Sequence, residues 1–376
     1  MHVRVRRRVR IVAVAAIVAC VFSITVSPHT RSGVATALLS ATVITGVLVT
    51  LEIQLNTRFA GLVHQLPVAV TLLFRTICYG LALVLIPLAA AALVQGRWPP
   101  LTGGDGLSKD ALLPSFALAV GINLAVTLSR LLGNGILISL FTGRYHRPRI
   151  EERIVLFLDV KGSTRLAERL GDKQFHRFLN RVFFDVGDPV AEAGGEIYRY
   201  VGDEIIATWT MKRGVREAAC LRCVFAIEDA LAARRAHYRA EFGTEPQLRG
   251  AIHAGALVIG EMGDWKREIV MLGDTMNTTA RIEDVCRAKH CDYIASAAVL
   301  ERIGELPPGV RAQSLGSVEL PGKTAGMSLF ALSRIAIGAA SPDGTQRADP
   351  KDSLVGGAAP AVLRHNVGGE RRGHRI

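Results

Sequence analysis

The sequence predicts two halves of different fold class: an N-terminal all-α bundle of about four transmembrane helices, and a C-terminal α+β domain. Apolar residues concentrate in the first 142 positions, whereas most charged residues follow them in the 376-residue chain. Beyond Pro148, short β-rich runs alternate irregularly with amphipathic helical stretches, which is typical of α+β domains. The mean hydropathy of +0.29 speaks against a purely soluble protein and against a wholly disordered one.

Four long apolar runs define the predicted membrane half, residues 1–142. They cover roughly residues 11–26, 34–51, 66–94 and 111–141. A helix needs about 20 apolar residues to cross a bilayer, so the last two runs are long enough and the first two are marginal. Arg75 and Arg130 lie within the last two runs, and either run could be divided into two shorter elements.

Basic residues flank the membrane half on both sides. Five arginines lie between Arg4 and Arg10, and three lie between Arg144 and Arg149. Because cytoplasmic flanks carry such an excess, we expect a multi-pass protein of the cell (inner) membrane with both ends in the cytoplasm. We interpret these flanks, within a formal charge of +12, as contacts with anionic membrane lipids and not with nucleic acid. A cleaved signal peptide is the alternative for the first run, but no clear small-x-small cleavage site follows it.

The remaining chain divides into a juxtamembrane linker at 143–152, a second domain at 153–334 and a tail at 335–376. The tail is rich in Gly, Ala, Pro and Arg and is predicted to be disordered. The principal elements expected in the second domain are a buried strand at 154–158, helices at 172–193, 215–240 and 275–288, and strand pairs at 196–201 with 204–209 and at 248–253 with 257–262.

Two acidic residues of this domain are candidates for metal chemistry. Asp159 closes the first buried strand, ahead of a turn and a helix start at Gly162-Ser163-Thr164. A carboxylate beside free helix N–H groups suits Mg²⁺ and phosphate, although a Ser/Thr helix cap explains the same residues. Asp203 lies in a Gly-Asp hairpin turn, which is ordinary by itself. If the first strand pairs with that hairpin, the two carboxylates meet, and a pair of divalent cations would relieve their repulsion.

A third segment carries an amide and a guanidinium on one helical face. Asn277 and Arg281 are four residues apart, in Gly273-Asp274-Thr275-Met276-Asn277-Thr278-Thr279-Ala280-Arg281. Such a pair can orient a ribose oxygen and neutralise charge on a phosphate. Taken alone, the pair is explained better by a solvated polar helix face.

In this order, the three segments resemble the catalytic domain of class III nucleotidyl cyclases, the adenylate and guanylate cyclase family. The resemblance implies a ferredoxin-like α+β domain, a homodimer, and two Mg²⁺ or Mn²⁺ ions per active site. It implies metal positions at Asp159, Val160 and Asp203, and a transition-state pair at Asn277 and Arg281. Substrate-binding positions carried over from the family are Gly162, Ser163, Thr164, Arg199, Val270 and Lys323.

The chain departs from the family where the purine is read. The family places a lysine at the position of Arg199 and a polar residue, usually Asp or Thr in adenylate cyclases, at the position of Val270. Arginine can donate to a purine nitrogen, but valine neither accepts nor donates a hydrogen bond. The resemblance as a whole implies a membrane-anchored cyclase that converts ATP into 3′,5′-cyclic AMP and pyrophosphate, and the absence of the usual base-reading pair leaves GTP as the alternative substrate. A catalytically silent nucleotide-binding homologue and a diguanylate cyclase are the rival hypotheses.

Overall fold

The computed structural model describes residues 31–57, 66–96 and 142–335 except 324. It also describes single positions or pairs between 116 and 139, namely 116–117, 120–121, 123–124, 127–128 and 139. The predicted first apolar run, most of the fourth run and the predicted tail lie outside the described residues.

Two long helices form the described part of the N-terminal half. Helix α1 spans Arg31–Thr57 and helix α2 spans Val68–Gln95, and the two pack against each other. They contain the second and third predicted apolar runs. By length and composition, one stretch among the described residues, Ala69–Gln95, is long and apolar enough to cross a membrane, while the apolar part of α1, Leu38–Val47, is shorter. The described residues thus support one span, and this is weak support for membrane insertion.

The C-terminal domain alternates strands and helices. Its strands are β1 (Arg149–Val160), β2 (Glu196–Val201), β3 (Glu204–Thr210), β4 (Leu248–Met262), β5 (Glu268–Leu272), β6 (Tyr293–Ser296), β7 (Val310–Val318) and β8 (Met327–Arg334). Its helices are α3 (Ser163–Leu170), α4 (Asp172–Glu192), α5 (Met211–Val215), α6 (Ala219–Ala232), α7 (Arg235–Phe242), α8 (Asp274–Ala288) and α9 (Ala297–Ile303).

The strands form one sheet in the order β2-β3-β1-β4-β6-β8-β7, with β5 paired to β4. The β4–β6 pair is parallel and the other pairs are antiparallel, which confirms the predicted α+β class. Alternate residues of β1 point to opposite faces of the sheet. Ile154, Leu156 and Leu158 pack in the core that includes α4 and α6, whereas Val155 and Phe157 pack in a smaller cluster on the other face.

The prediction of one helix over residues 215–240 is wrong. The chain instead forms α6 and α7, separated at Ala233–Arg234. Tertiary contacts explain the break, because Arg234 pairs with the buried carboxylate of Asp185 at 3.1 Å and the Tyr238 hydroxyl donates to Asp185 at 2.9 Å. The break therefore lets two polar side chains reach one buried acid, which local helix propensity does not reveal.

The predicted strand pair at 248–253 and 257–262 is also wrong, since these residues form the single 15-residue strand β4. The Gly255 backbone continues the ladder opposite Arg153 and does not turn. A Cβ at Gly255 would lie 2.5 Å from the Thr275 hydroxyl oxygen. The glycine therefore allows α8 to approach the strand closely, and this close approach positions the helix that carries Asn277 and Arg281.

Candidate active site

The pairing of β1 with β3 brings Asp159 and Asp203 together. Leu158 lies opposite Ile205, so Asp159, the next residue of β1, faces the turn that holds Asp203. Asp159 is only 7% exposed. Burial, followed by the neighbouring Asp203 carboxyl, raises the pKa of Asp159 above its usual range. The predicted meeting of the two carboxylates is confirmed.

Two further acids lie beside this pair, half-buried Glu204 and buried Glu283, and neither was identified from the sequence. Burial first, and then the charges of Glu283, Asp159 and Asp203, raise the pKa of Glu204 to about 7. Burial first, and then the charge of Asp159, raises the pKa of Glu283 to about 7. Glu204 was visible only as part of a hairpin turn. Glu283 belongs to the buried stripe of α8, so a helical projection of that segment could have drawn attention to it.

Two arginines balance part of this negative charge. Arg249 lies directly opposite Asp159 in the β1–β4 ladder, and its Nε donates to Asp159 Oδ2 at 2.9 Å. Arg287, on the last turn of α8, places Nη2 3.5 Å from the same oxygen and 3.4 Å from Glu283 Oε1. The sequence did not reveal either contact, because each depends on the register of distant segments.

The donor set fits a divalent cation. Asp203 Oδ2 and Glu204 Oε1 are buried, and neither has a hydrogen-bond partner within the part of the chain that the structure describes. No group of three or more His, Cys, Asp or Glu side chains among the described residues forms a complete metal site. Mg²⁺ does not require one, because it commonly binds through one or two carboxylates plus waters and substrate phosphates.

The segment after Asp159 offers main-chain groups rather than side chains. The side chain of Val160 is buried in the core, so only its backbone can face a ligand. Gly162 adopts a left-handed conformation with φ of 68°, which suits glycine, and α3 begins directly after it. No side-chain hydrogen bond caps this helix, so the Ser/Thr cap weighed above does not form. The free N–H groups at Ser163 and Thr164 remain available to an anion.

Asn277 and Arg281 lie on a different face of α8 from the residues that contact Asp159. At 3.6 residues per turn, the midpoint of the 277/281 pair lies about 120° around the helix from that of the 283/287 pair. The loop after β7 covers this second face, where a Cβ at Gly322 would come within 3.2 Å of Arg281 Nη2. One chain therefore does not place its own Asn277 and Arg281 on the face of α8 that meets its Asp159.

Lys323 and Asp274 form an ion pair at the start of α8. Lys323 thus lies in the same loop that packs on Arg281. The Lys323 ammonium is the first cause that lowers the pKa of Asp274. The carboxylate keeps the lysine near the helix start.

The Arg199 side chain is held by an acid that the sequence did not single out. Arg199 Nη2 lies 2.6 Å from Glu268 Oε2, and its guanidinium lies 5.3 Å from the centroid of the Tyr198 ring. Glu268 and Val270 are two residues apart on β5, so their side chains share one face of the strand. A carboxylate, that of Glu268, therefore lies on the same strand face as Val270.

His253 is a core histidine. It is buried on β4, and its Nδ1 is hydrogen-bonded to the Ser296 hydroxyl at 2.8 Å. Burial, and then the charge of Lys323, lower the pKa of His253 to about 4.

The lowered pKa of His253 predicts that the folded state loses stability in acid. A folded pKa below the ordinary value of about 6.5 contributes stability above pH 6.5, and that stability is lost as the pH falls toward 4. The difference between these two pKa values corresponds to a change in the free energy of unfolding on the order of 3 kcal/mol across this pH range. We expect His253→Gln, which keeps a polar side chain without the titration, to lose this part of the pH dependence in denaturant melts between pH 4 and 6.5. An unchanged pH dependence would contradict this assignment.

A family sequence model described as the adenylate and guanylate cyclase catalytic domain matches residues 146–334. The chain belongs to this family. Adenylate cyclase 2 of Rhizobium meliloti (strain 1021) is 42% identical over 245 residues, covering 62% of this chain and 67% of that cyclase. Adenylate cyclase 1 of the same organism is 27% identical over 234 residues, and the chain spans only 33% of its length.

The cyclase fold is also found among solved structures. A bacterial light-regulated adenylyl cyclase superposes with a TM-score of 0.50 and 21% identity, covering 60% of this chain and 65% of that one. At this level of identity the likeness shows the fold alone. Together with the family match, it confirms the predicted C-terminal cyclase domain.

Proposed function

We propose that this cyclase converts ATP into 3′,5′-cyclic AMP and pyrophosphate. The observation that carries the proposal is the meeting of Asp159 and Asp203 in a chain that also holds Asn277 and Arg281. The 42% identity to a protein named adenylate cyclase supports ATP as the substrate. In the reaction, the ribose 3′ oxygen attacks the α-phosphorus and pyrophosphate leaves.

Asp159 and Asp203 would hold two Mg²⁺ or Mn²⁺ ions, with the Val160 carbonyl as a further ligand. Such ions, when bound, lower the pKa of a coordinated hydroxyl and neutralise phosphate charge. The backbone N–H groups from Gly162 to Thr164 would bind phosphate oxygens. Holding the reacting groups in line is worth roughly up to 7–11 kcal/mol in favourable models, so orientation is the main task of the protein.

Asn277 and Arg281 would reach the nucleotide from a second copy of the chain. This follows from α8, whose 277/281 face is turned away from its own Asp159. Asn277 would orient the ribose, Arg281 would stabilise the charge that develops at the α-phosphorus, and Lys323 would bind the triphosphate. Two composite sites per homodimer result.

An exposed apolar patch supports dimer formation. Ile150, Val258 and Leu272 lie in register across β1, β4 and β5, and each is exposed. Met262 and Trp265 extend the patch at the β4–β5 connection. Contiguous exposed apolar surface of this kind is typical of protein–protein contacts.

Arg199 and Glu268 would read the adenine edge in place of the usual pair. Adenine presents an acceptor, N1, next to a donor, the 6-amino group. The guanidinium can donate to N1 while the carboxylate accepts from the amine, and Val270 packs against the ring. Lys266, 2.5 Å from Glu268 Oε1, and Glu268's own partner Arg199 keep this carboxylate ionised and in place.

Removal of the Glu268 carboxylate is expected to weaken recognition of the 6-amino group of adenine. We predict that Glu268→Ala lowers kcat/KM for ATP by about tenfold, the cost of one hydrogen bond to a charged group. Turnover of purine riboside triphosphate, which lacks the amine, should change far less. Glu196→Ala serves as the matched control, since Glu196 is a similarly exposed acid that pairs with Arg213 at 3.8 Å. Equal losses for both nucleotides would contradict the role of Glu268.

The N-terminal helices would anchor the cyclase in the cell membrane, with the catalytic domain in the cytoplasm. Support comes from α2, which carries a row of large apolar side chains that are each at least half exposed, as lipid-facing side chains would be. They are Leu73, Phe74, Ile77, Leu81 and Leu85. The multi-pass arrangement and the domain limits at 142, 152 and 334 remain predictions from the sequence. Membrane fractionation tests the anchoring, because a membrane-spanning protein resists extraction by carbonate whereas a peripheral one does not.

Product analysis tests the catalytic proposal. The full-length chain, purified in detergent, should convert ATP with Mn²⁺ into cyclic AMP identified by mass spectrometry. Cyclic GMP from GTP at a higher rate would reverse the substrate assignment. The lack of any product would favour a catalytically silent homologue, and linear or cyclic dinucleotides would favour a diguanylate cyclase.

A further inference from the structure

Arg287 occupies a position that the proposed reaction does not use. Its guanidinium contacts three acids at moderate distances: Asp159 at 3.5 Å, Glu283 at 3.4 Å and Asp284 at 3.8 Å. None of these contacts has the short geometry of a strong charge-assisted hydrogen bond. The side chain is 54% exposed, so it can move without disturbing the core.

Arg249 contacts the same carboxylate in a different way. It is held in the β1–β4 ladder, is 17% exposed, and donates to Asp159 Oδ2 at 2.9 Å. Arg249 is therefore a fixed partner of Asp159. Arg287, by contrast, shares that oxygen from the end of a helix.

We propose that Arg287 is a displaceable counter-ion of the metal centre, which neutralises Asp159 in the metal-free protein and opposes divalent-cation binding until it swings outward. The inference rests on the proposed role of Asp159 and Asp203 as metal ligands. A cation that binds there adds two positive charges beside a fixed guanidinium and a movable one. Repulsion between the cation and the two guanidinium groups would displace Arg287, because Arg249 is held in the sheet.

The structure supplies a place for the displaced side chain. Asp284 is 73% exposed and lies three residues before Arg287 on the same helix. Movement toward Asp284 keeps an ion pair for the guanidinium and retains its favourable position in the last turn of α8. Glu283, 7% exposed, would then be left facing the cation. Arg287 thus makes metal binding depend on a rearrangement at α8, the helix whose other face carries Asn277 and Arg281.

Metal affinity in the absence of nucleotide tests the proposal directly. The full-length protein in detergent is titrated with Mn²⁺, and bound and free ions are distinguished by electron paramagnetic resonance. Arg287→Ala should bind Mn²⁺ about three- to tenfold more tightly than the wild type, because a unit charge near the site is removed. Arg287→Lys keeps the charge and should stay within about twofold of the wild type.

Arg222→Ala is the matched control. Arg222 is 52% exposed and pairs with Glu217 at 2.9 Å, so its removal changes the net charge equally without touching Asp159. Arg287→Gln provides a second variant if the alanine variant does not fold. A larger rise in melting temperature on adding Mn²⁺ to the Arg287 variants than to the wild type should accompany the tighter binding.

A folded Arg287→Ala or Arg287→Gln chain that binds Mn²⁺ no tighter than the wild type would overturn the inference, and weaker binding would make Arg287 a support for Asp159. An equal gain in Arg222→Ala would also overturn it, because net charge alone would then explain the effect. If the wild type bound no Mn²⁺ at all, the proposed metal site itself would fail.

Discussion

Chains with Asp203→Ala and chains with Arg281→Ala should each be inactive alone and recover activity together. Random pairing of two co-expressed chains makes half of the dimers mixed, and each mixed dimer has one intact site of two, so about a quarter of wild-type turnover is expected. Each variant alone should lose roughly 10²–10³-fold or more in kcat, the usual cost of removing a transition-state partner.

The structural reason lies in α8. Its Glu283 and Arg287 face Asp159 of the same chain, whereas Asn277 and Arg281 are turned away. In a mixed dimer, both substitutions therefore fall in the same composite site, and the other site keeps both Asp203 and Arg281. Co-expression of Asp159→Ala with Asp203→Ala is the control, since both defects lie in the same half and no recovery is expected. Failure of the first mixture to recover, despite proven mixed dimers, would contradict a shared site.

Asp203→Asn should abolish turnover without weakening the fold. The amide keeps the shape of the side chain but removes one of two neighbouring negative charges. The metal-free protein should be as stable as the wild type or more stable by up to about 1 kcal/mol, because Asp159 is relieved of like-charge repulsion. At the same time kcat should fall by roughly 10²–10³-fold or more, because the proposed metal ions would lose a charged ligand.

Turnover and metal-free thermal melts of the same preparation separate the two effects. Parallel loss of stability and activity would assign Asp203 a structural role. Full activity would remove it from the catalytic site. Retained or increased stability together with lost turnover is the result expected of a carboxylate that repels Asp159 in the metal-free protein and is needed for catalysis.

The centre of this site was predictable because its signals are local. Asp159 follows a continuous apolar strand and Asp203 lies in a turn between two strands, so one assumption about strand pairing brought them together. Arg249, Glu283 and Arg287 could not be found in the same way. Their contacts depend on the β1–β4 register and on which face of α8 meets the sheet, and both are set by long-range packing.

The two wrong elements have the same origin. The segment 215–240 has uninterrupted helical character, and its break at Ala233–Arg234 becomes understandable only through Asp185, about fifty positions earlier in the chain. The strand pair expected at 248–253 and 257–262 requires a turn between its strands, but the ladder with β1 continues through Gly255. The missing side chain of Gly255 makes room for Thr275 on α8.

The proposed mechanism depends on two acids that hold two metal ions, and the magnetic coupling between two bound Mn²⁺ ions tests this role most directly. Two ions in one catalytic site lie about 4 Å apart, close enough for their electron spins to couple. With a non-reactive ATP analogue, the wild-type protein should show an exchange-coupled Mn²⁺ pair at two ions per chain, and Asp203→Ala should lose it. Isolated, uncoupled Mn²⁺ in the wild type, or a coupled pair that survives in Asp203→Ala, would contradict the account.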